Sequence, residues 1–141
     1  MSETLVIIKP DAVARLLVGK IITRIEEKGL FIVDMKLVTI TPRLAAELYD
    51  MHRHKQFFGD LCKFIASGPA VVMIVDTFEV DAIPAMRRLT GAEPADDPDR
   101  PGSIRGDFAS DFRRNCIHSS DTDAAAPREI RLFFPEYAFD D

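Results

Sequence analysis

Three short apolar segments constrain the fold of this 141-residue chain more than any other feature. TLVII, at residues 4–8, is a continuous apolar run that is typical of a strand buried on both faces. LFIVDMKLVTI, at residues 30–40, alternates as a strand does when its polar residues face outward. AVVMIV, at residues 70–75, is rich in β-branched residues that favour strands. Because none of these runs is long enough to cross a bilayer, they predict strands within a protein that does not span a membrane.

Segments with apolar residues at helical spacing separate these runs. The stripe from Leu17 to Ile25 predicts an amphipathic helix that Gly29 ends. Further helices are predicted at four places: from Thr41, around Leu61 to Ile65, from Asp81 to Leu89, and around Ile130 and Phe133. Pro127 requires the last of these helices to start late, near Asp123, or to bend. Strands that alternate with helices favour an α/β sandwich, one sheet with helices packed over it.

Length and charge limit the possible functions. The length suits one domain, so we expect residues 1–141 to form a single unit. The net charge of −5 argues against a nucleic-acid binder, because such proteins concentrate positive charge. The acidic start MSETLVIIKPD does not resemble a signal peptide, and Cys62 and Cys116 lack a pairing motif, so we expect a cytoplasmic protein with reduced thiols. An anionic small substrate would need a local group of cations, for which the candidates are Lys9, Arg87, Arg88, Arg105, Arg113 and Arg114.

The run NCIHSSD, at residues 115–121, contains a histidine with two possible roles. A lone histidine such as His118 is more often a core or surface ring than a catalyst. Ser119 and Ser120 are small and leave the ring approachable, while Glu129 lies on the following predicted helix, from which it can turn back. If Glu129 accepts a hydrogen bond from one ring N–H group, the other nitrogen keeps a lone pair for attack on phosphorus. Spacing alone leaves both roles open.

Other segments carry residues that suit a phosphate or nucleotide ligand. Lys9 ends the first strand, where open α/β sheets bind ligands, although such a lysine can also simply reach water. Arg105, in PGSIRGDF, lies in a turn between glycines that suits bidentate phosphate contact or merely exposes an arginine. Phe57, in KQFFGDL, can stack on a nucleobase or pack in the core. His52 and His54 are interpreted as solvated, and the missing GxxxxGK[ST] motif excludes a P-loop.

Together and in this order, these fragments resemble the nucleoside diphosphate kinase family over nearly the whole chain, from TLVIIKPDAV to EIRLFFP. NCIHSSD follows the family's active-site signature, and IKPDAV, SGPAVVMIV and PGSIRGDF recur at about the right intervals. The resemblance implies a ferredoxin-like βαββαβ core, an antiparallel sheet covered by helices, in a homo-oligomer that is a tetramer or a hexamer. It also implies that the terminal phosphate is exchanged between nucleoside tri- and diphosphates, with Mg²⁺ held mainly by the nucleotide phosphates and not by a protein metal site.

The same resemblance implies a role for each matched residue. His118 is the nucleophile, which becomes a phosphohistidine midway through a ping-pong cycle, and Glu129 is the carboxylate that orients it. Lys9 contacts phosphate and the ribose hydroxyl, Asn115 contacts the ribose 3′ hydroxyl, and Phe57 stacks on the base. The remaining matches are Tyr49 near the nucleophile, Leu61 in the base cleft, Arg87 and Arg105 on the phosphates, and Ser120 beside the histidine.

The chain departs from the family pattern near the histidine, after Gly91, and at Gln56, where proline is frequent before FF. Members commonly carry Gly or Ala where this chain has Ser119, and the threonine usual after the glycine matching Gly91 is missing, with Thr90 close but out of register. Residues 92–102, rich in Pro, Asp and Ala, predict a mobile loop with extra residues. The alternatives to an enzyme are a non-catalytic ferredoxin-like module for ligand binding or assembly, and an inactive relative.

Overall fold

The computed structural model describes residues 3–79, 81–91, 102–109 and 115–139. In these ranges one four-stranded sheet has the order β2-β3-β1-β4, and every neighbouring pair of strands is antiparallel. The strands are β1 Thr4–Ile8, β2 Leu30–Thr39, β3 Pro69–Thr77 and β4 Ile117–Ser119. This arrangement confirms the expected ferredoxin-like antiparallel sheet covered by helices.

Helices connect the strands and cover the sheet. They are α1 Pro10–Ala14, α2 Val18–Glu27, α3 Pro42–Leu48, α4 Phe58–Ile65, α5 Ala82–Thr90, α6 Ile104–Phe108 and α7 Ala125–Phe133. Two predicted helix starts are confirmed, because the side chains of Thr41 and Asp81 accept hydrogen bonds from backbone N–H groups in the first turns of α3 and α5. Pro127 falls in the first turn of α7, so the late start of that helix accommodates it. No helix in the described ranges is long and apolar enough to cross a membrane.

Two apolar cores pack on opposite faces of the sheet, and β1 contributes to both. Its side chains alternate, so that Leu5 and Ile7 join the core under α3, α4 and α7, while Val6 and Ile8 join the core under α2, α5 and α6. All five residues of β1 are buried, as the continuous apolar run predicted. The residue that follows β1 therefore has a fixed position at the end of a rigid central strand.

Strand β2 departs from the predicted alternation of buried apolar and exposed polar residues. Val33, Met35 and Leu37 are 41%, 50% and 65% exposed, and the register shifts between Ile32 and Asp34. Strand β2 lies at the edge of the sheet, where a strand has a neighbour on one side only. Two other sequence-based expectations lie outside the described residues. They are the loop predicted at residues 92–102, of which only Gly102 is described, and the cations Arg113 and Arg114.

Candidate active site

His118 lies at the middle of β4, on the face of the sheet that α7 covers. Its backbone pairs with Ile7 of β1, and its side chain is 18% exposed. The ring Nε2 lies 2.8 Å from Oε1 of Glu129, a carboxylate on α7 that is only 2% exposed. The structure thus brings together the histidine and the carboxylate that the sequence suggested as partners.

The Glu129 carboxylate is held in its ionised form. Burial alone would raise its pKa, but the hydrogen bonds of His118 and Ser120 outweigh burial and hold the pKa of Glu129 below its ordinary value. The Ser120 hydroxyl donates to the same Oε1 at 2.9 Å and accepts from the Leu5 backbone N–H at 3.3 Å. Because an ionised carboxylate only accepts hydrogen bonds, Nε2 of His118 carries a proton, and in the neutral ring Nδ1 has the lone pair.

Two arginines bind the open edge of β4 on either side of His118. Cys116 and Ser120 form backbone hydrogen bonds toward β1. Because carbonyls alternate in direction along a strand, those of Ile117 and Ser119 point away from β1. Arg105 Nη2 donates to the Ile117 carbonyl at 2.9 Å, and Arg87 Nη1 donates to the Ser119 carbonyl at 3.1 Å. The carbonyls flanking the histidine therefore fix both guanidinium groups that the sequence assigned to phosphate.

Lys9 and Asn115 form a second polar pair at this end of the sheet. Lys9 Nζ donates to Asn115 Oδ1 at 2.7 Å, and the lysine is only 4% exposed. Burial, and then the positive charge of Arg105, lower the pKa of Lys9 to about 7. The pKa of Arg105 is itself lowered to about 10 by burial and by the charge of Arg87. These cations repel one another at a buried site, and a bound polyanion would relieve that repulsion.

Sequence reasoning missed the role of Asp11 in shaping the segment before the nucleophile. Cys116 has a left-handed backbone with φ 75°, which is strained for a residue with a side chain. Asp11 Oδ2 accepts from the Cys116 N–H at 3.1 Å, and the Cys116 carbonyl accepts from the Lys9 N–H at 2.8 Å. These contacts hold the turn that places Asn115 against Lys9. The signal was the acidic residue of KPD, which directly follows the strand-end lysine and proline.

A row of rings extends from His118 toward the start of α4. The Tyr49 ring lies edge-on to His118 at 6.3 Å between centroids, and His52 follows at 6.5 Å from Tyr49 and 5.8 Å from Phe57. Burial keeps Tyr49 protonated, because it raises the pKa of the phenol well above its ordinary value. Leu61 lies one helical turn beyond Phe57, half-buried against the core that contains Tyr49. Tyr49, Phe57 and Leu61 thus lie along one side of the site.

His52, interpreted from the sequence as solvated, is half-buried in the structure. Its Nδ1 is buried with no hydrogen-bond partner in the described part of the chain, and burial lowers its pKa. The helical spacing from Tyr49 to His52 was a usable signal, since residues three apart share a helix face. His54, by contrast, is exposed as expected.

The arrangement suits transfer of a phosphoryl group to His118. It combines a histidine of fixed tautomer, half-buried arginines on both sides of it, and a row of rings that a flat ligand can contact. Arg88, another candidate cation, is exposed and lines a separate cavity of about 570 Å³ with Lys28 and Glu79. In the described ranges, no three His, Cys, Asp or Glu side chains form a group that could hold a metal ion.

Comparisons with known proteins show which family the chain resembles. The family model described as nucleoside diphosphate kinase matches residues 2–139. A nucleoside diphosphate kinase of Mycobacterium tuberculosis is 48% identical over 134 residues, which cover 95% of this chain and 97% of the relative. One of Thermobifida fusca is 47% identical over 140 residues, which cover 98% of this chain and 100% of the relative. The crystal structure of the Aquifex aeolicus nucleoside diphosphate kinase superposes with a TM-score of 0.86 at 37% identity and covers 94% of each chain.

Proposed function

The chain belongs to the nucleoside diphosphate kinase family, and we propose that His118 carries the phosphoryl group in its reaction. Its activity is that of a nucleoside diphosphate kinase, a phosphotransferase. The observation that supports the role of His118 most strongly is its 2.8 Å contact with the buried Glu129 carboxylate, between two carbonyls that hold arginines.

The proposed reaction has two half-reactions at one site. Nδ1 of His118 attacks the terminal phosphorus of a nucleoside triphosphate, forming an N–P bond as the P–O bond to the leaving diphosphate breaks. A second nucleoside diphosphate then attacks the phosphohistidine through a terminal phosphate oxygen, which restores the free ring. Glu129 keeps the proton on Nε2 throughout, and Ser120 holds the carboxylate in place. One nucleotide site can therefore serve donor and acceptor in turn.

Charge stabilisation comes from the cations that surround the histidine. We assign Arg87, Arg105 and Lys9 to the phosphate oxygens, where negative charge is spread during transfer. In this proposal Mg²⁺ enters with the nucleotide as part of the substrate and neutralises phosphate charge. The donor set fits this assignment, because Arg87, Arg105 and Lys9 present guanidinium and ammonium groups, which suit phosphate oxygens and not a metal ion.

The sugar and base contacts follow from the other side of the site. Asn115, held by Lys9, would meet the ribose 3′ hydroxyl, while Phe57 and Leu61 would receive the base and Tyr49 would support the histidine ring. Stacking on Phe57 reads no base edge, so GTP, CTP and UTP should all act as donors alongside ATP.

We also propose that residues 1–141 act as a single domain within a homo-oligomer in the cytoplasm. One sheet shared by both cores supports the single domain, and the two free cysteines, Cys62 and Cys116, suit a reducing compartment. The exposed apolar side chains of edge strand β2 support self-association, because they form a surface that a second copy can cover. Sedimentation equilibrium would distinguish a tetramer from a hexamer.

The role of His118 is tested by labelling with γ-³²P-ATP and Mg²⁺. We expect an acid-labile, alkali-stable phosphate on the wild type and on the control His54→Ala, whose ring is exposed, and no such label on His118→Ala. Equal labelling of His118→Ala would show that another residue is the nucleophile.

A further inference from the structure

The hydroxyl of Ser119 faces away from the nucleophile. Successive side chains of a strand point to opposite faces, and Ser119 pairs with Val6, which packs in the core under α2 and α5. Its Oγ lies 3.2 Å from Oγ1 of Thr90, and the two residues are 1% and 0% exposed. The family departure at Ser119 therefore places a buried hydroxyl against α5 and not beside His118.

Thr90 is the last residue of α5, in the same helical turn as Arg87. Gly91 ends the helix there in a left-handed conformation with φ 83°, and its N–H donates to the Arg87 carbonyl at 3.0 Å. The Arg87 side chain reaches the Ser119 carbonyl at 3.1 Å. Ser119 thus contacts the last turn of α5 twice, through its hydroxyl and through its carbonyl oxygen.

We propose that Ser119 and Thr90 form a hydrogen-bonded pair that positions Arg87 to bind phosphate. This inference rests on the proposed role of Arg87 as a phosphate ligand. A buried hydroxyl without a hydrogen-bond partner raises the free energy of the folded state, so separation of the two residues is unfavourable. The pair therefore holds the end of α5 at one distance from β4. Because the arginine stem is flexible, the position of the helix end decides whether its guanidinium lies beside His118. Thr90 accordingly acts on the substrate through Arg87 and not as a phosphate ligand itself.

The test removes each hydroxyl in turn and compares steady-state kinetics. Ser119→Ala and Thr90→Val each leave one buried hydroxyl unpaired, and we expect kcat/KM for nucleotides to fall about tenfold, mainly through KM. Thr90→Ser retains a hydroxyl, so it should restore most of the kcat/KM that Thr90→Val loses. Ser67→Ala is the matched control, because the Ser67 hydroxyl bonds only locally to the Phe64 carbonyl on an exposed surface.

A double-mutant cycle with Arg87→Gln separates positioning from a general loss of stability. If the pair acts through Arg87, Ser119→Ala should reduce kcat/KM by less than about twofold in the Arg87→Gln background. Wild-type kcat/KM in Ser119→Ala, or an equal loss in both backgrounds, would overturn the proposal. An inactive wild type, or phosphate labelling that survives in His118→Ala, would instead overturn the proposed function. All variants are assayed well below their unfolding temperatures, and Ser119→Ala alone decides the outcome if Thr90→Val does not fold.

Discussion

Replacing Glu129 with glutamine should weaken the site without removing its hydrogen bonds. Glutamine has nearly the same shape and keeps an acceptor oxygen for His118 Nε2 and the Ser120 hydroxyl, which now both donate to Oε1. Bonds to a charged group contribute roughly 1.5–3 kcal/mol and neutral bonds roughly 0.5–1.5 kcal/mol, so the expected loss is about 1–2 kcal/mol. Glu129→Gln should therefore form phosphoenzyme roughly 5 to 30 times more slowly, measured by rapid-quench mixing with labelled ATP.

The same substitution should change how stability depends on pH. The pKa of Glu129 in the folded chain lies below its ordinary value of 4.5, so the folded state favours the ionised carboxylate. This stabilisation is present above about pH 4.5 and is lost as the pH falls through the lower folded pKa. The difference in unfolding free energy between wild type and Glu129→Gln, from urea titrations, should shrink as the pH falls from 6 to 3.

The control is Glu26→Gln, which makes the same chemical change on the exposed face of α2. It should leave both the phosphorylation rate and the pH dependence close to those of the wild type. If Glu129→Gln also matches the wild type in both measurements, the carboxylate neither fixes the histidine nor gains stability from it, and the reasoning about this pair is wrong.

Three further predictions follow from other parts of the structure. Burial lowers the pKa of Lys9 to about 7, so nucleotide binding at pH 8 should be accompanied by uptake of a proton. Calorimetry would detect this uptake as a binding enthalpy that varies with the buffer. Lys9→Gln should abolish the variation, and a wild type without it would contradict the assignment of Lys9 to phosphate. Phe57→Leu should raise KM for ATP, GTP, CTP and UTP alike, by about fivefold or more, whereas a rise for one base only would contradict a stacking role. Leu16 is 85% exposed with a left-handed φ of 62°, so Leu16→Gly should raise the unfolding free energy by about 0.5–1 kcal/mol, and a lower value in urea titrations would contradict the inferred strain.

The parts of the fold that could be predicted are those that local pattern determines. The β1 run is apolar throughout because both of its faces are buried, and the caps at Thr41 and Asp81 act within their own helical turns. The three-residue strand β4 has no such signal, because its sequence is constrained by the site as well as by the sheet. The exposure of apolar side chains on β2 also had no signal in the sequence, because it depends on which strand lies at the edge of the sheet.

Some features of the candidate site could likewise be predicted from the sequence, and others could not. Motif order pointed to His118 and Glu129, and the structure places them in contact. The carbonyl contacts of Arg87 and Arg105 could not be predicted, because they require the open edge of a strand that was not itself predicted. The position of the Ser119 hydroxyl could not be predicted either, because it depends on the alternation of β4, which directs it to the face opposite His118.

The most direct test of the account is to identify which nitrogen of His118 carries the phosphate. Because the ionised Glu129 accepts a hydrogen bond from the Nε2–H group, the account predicts that Nδ1 is phosphorylated. Two-dimensional ¹H–³¹P correlation spectra of the phosphorylated, alkali-denatured protein distinguish the two isomers. A phosphate on Nδ1 of His118 is the expected result, and a phosphate on Nε2, or on another residue, would contradict the proposed mechanism.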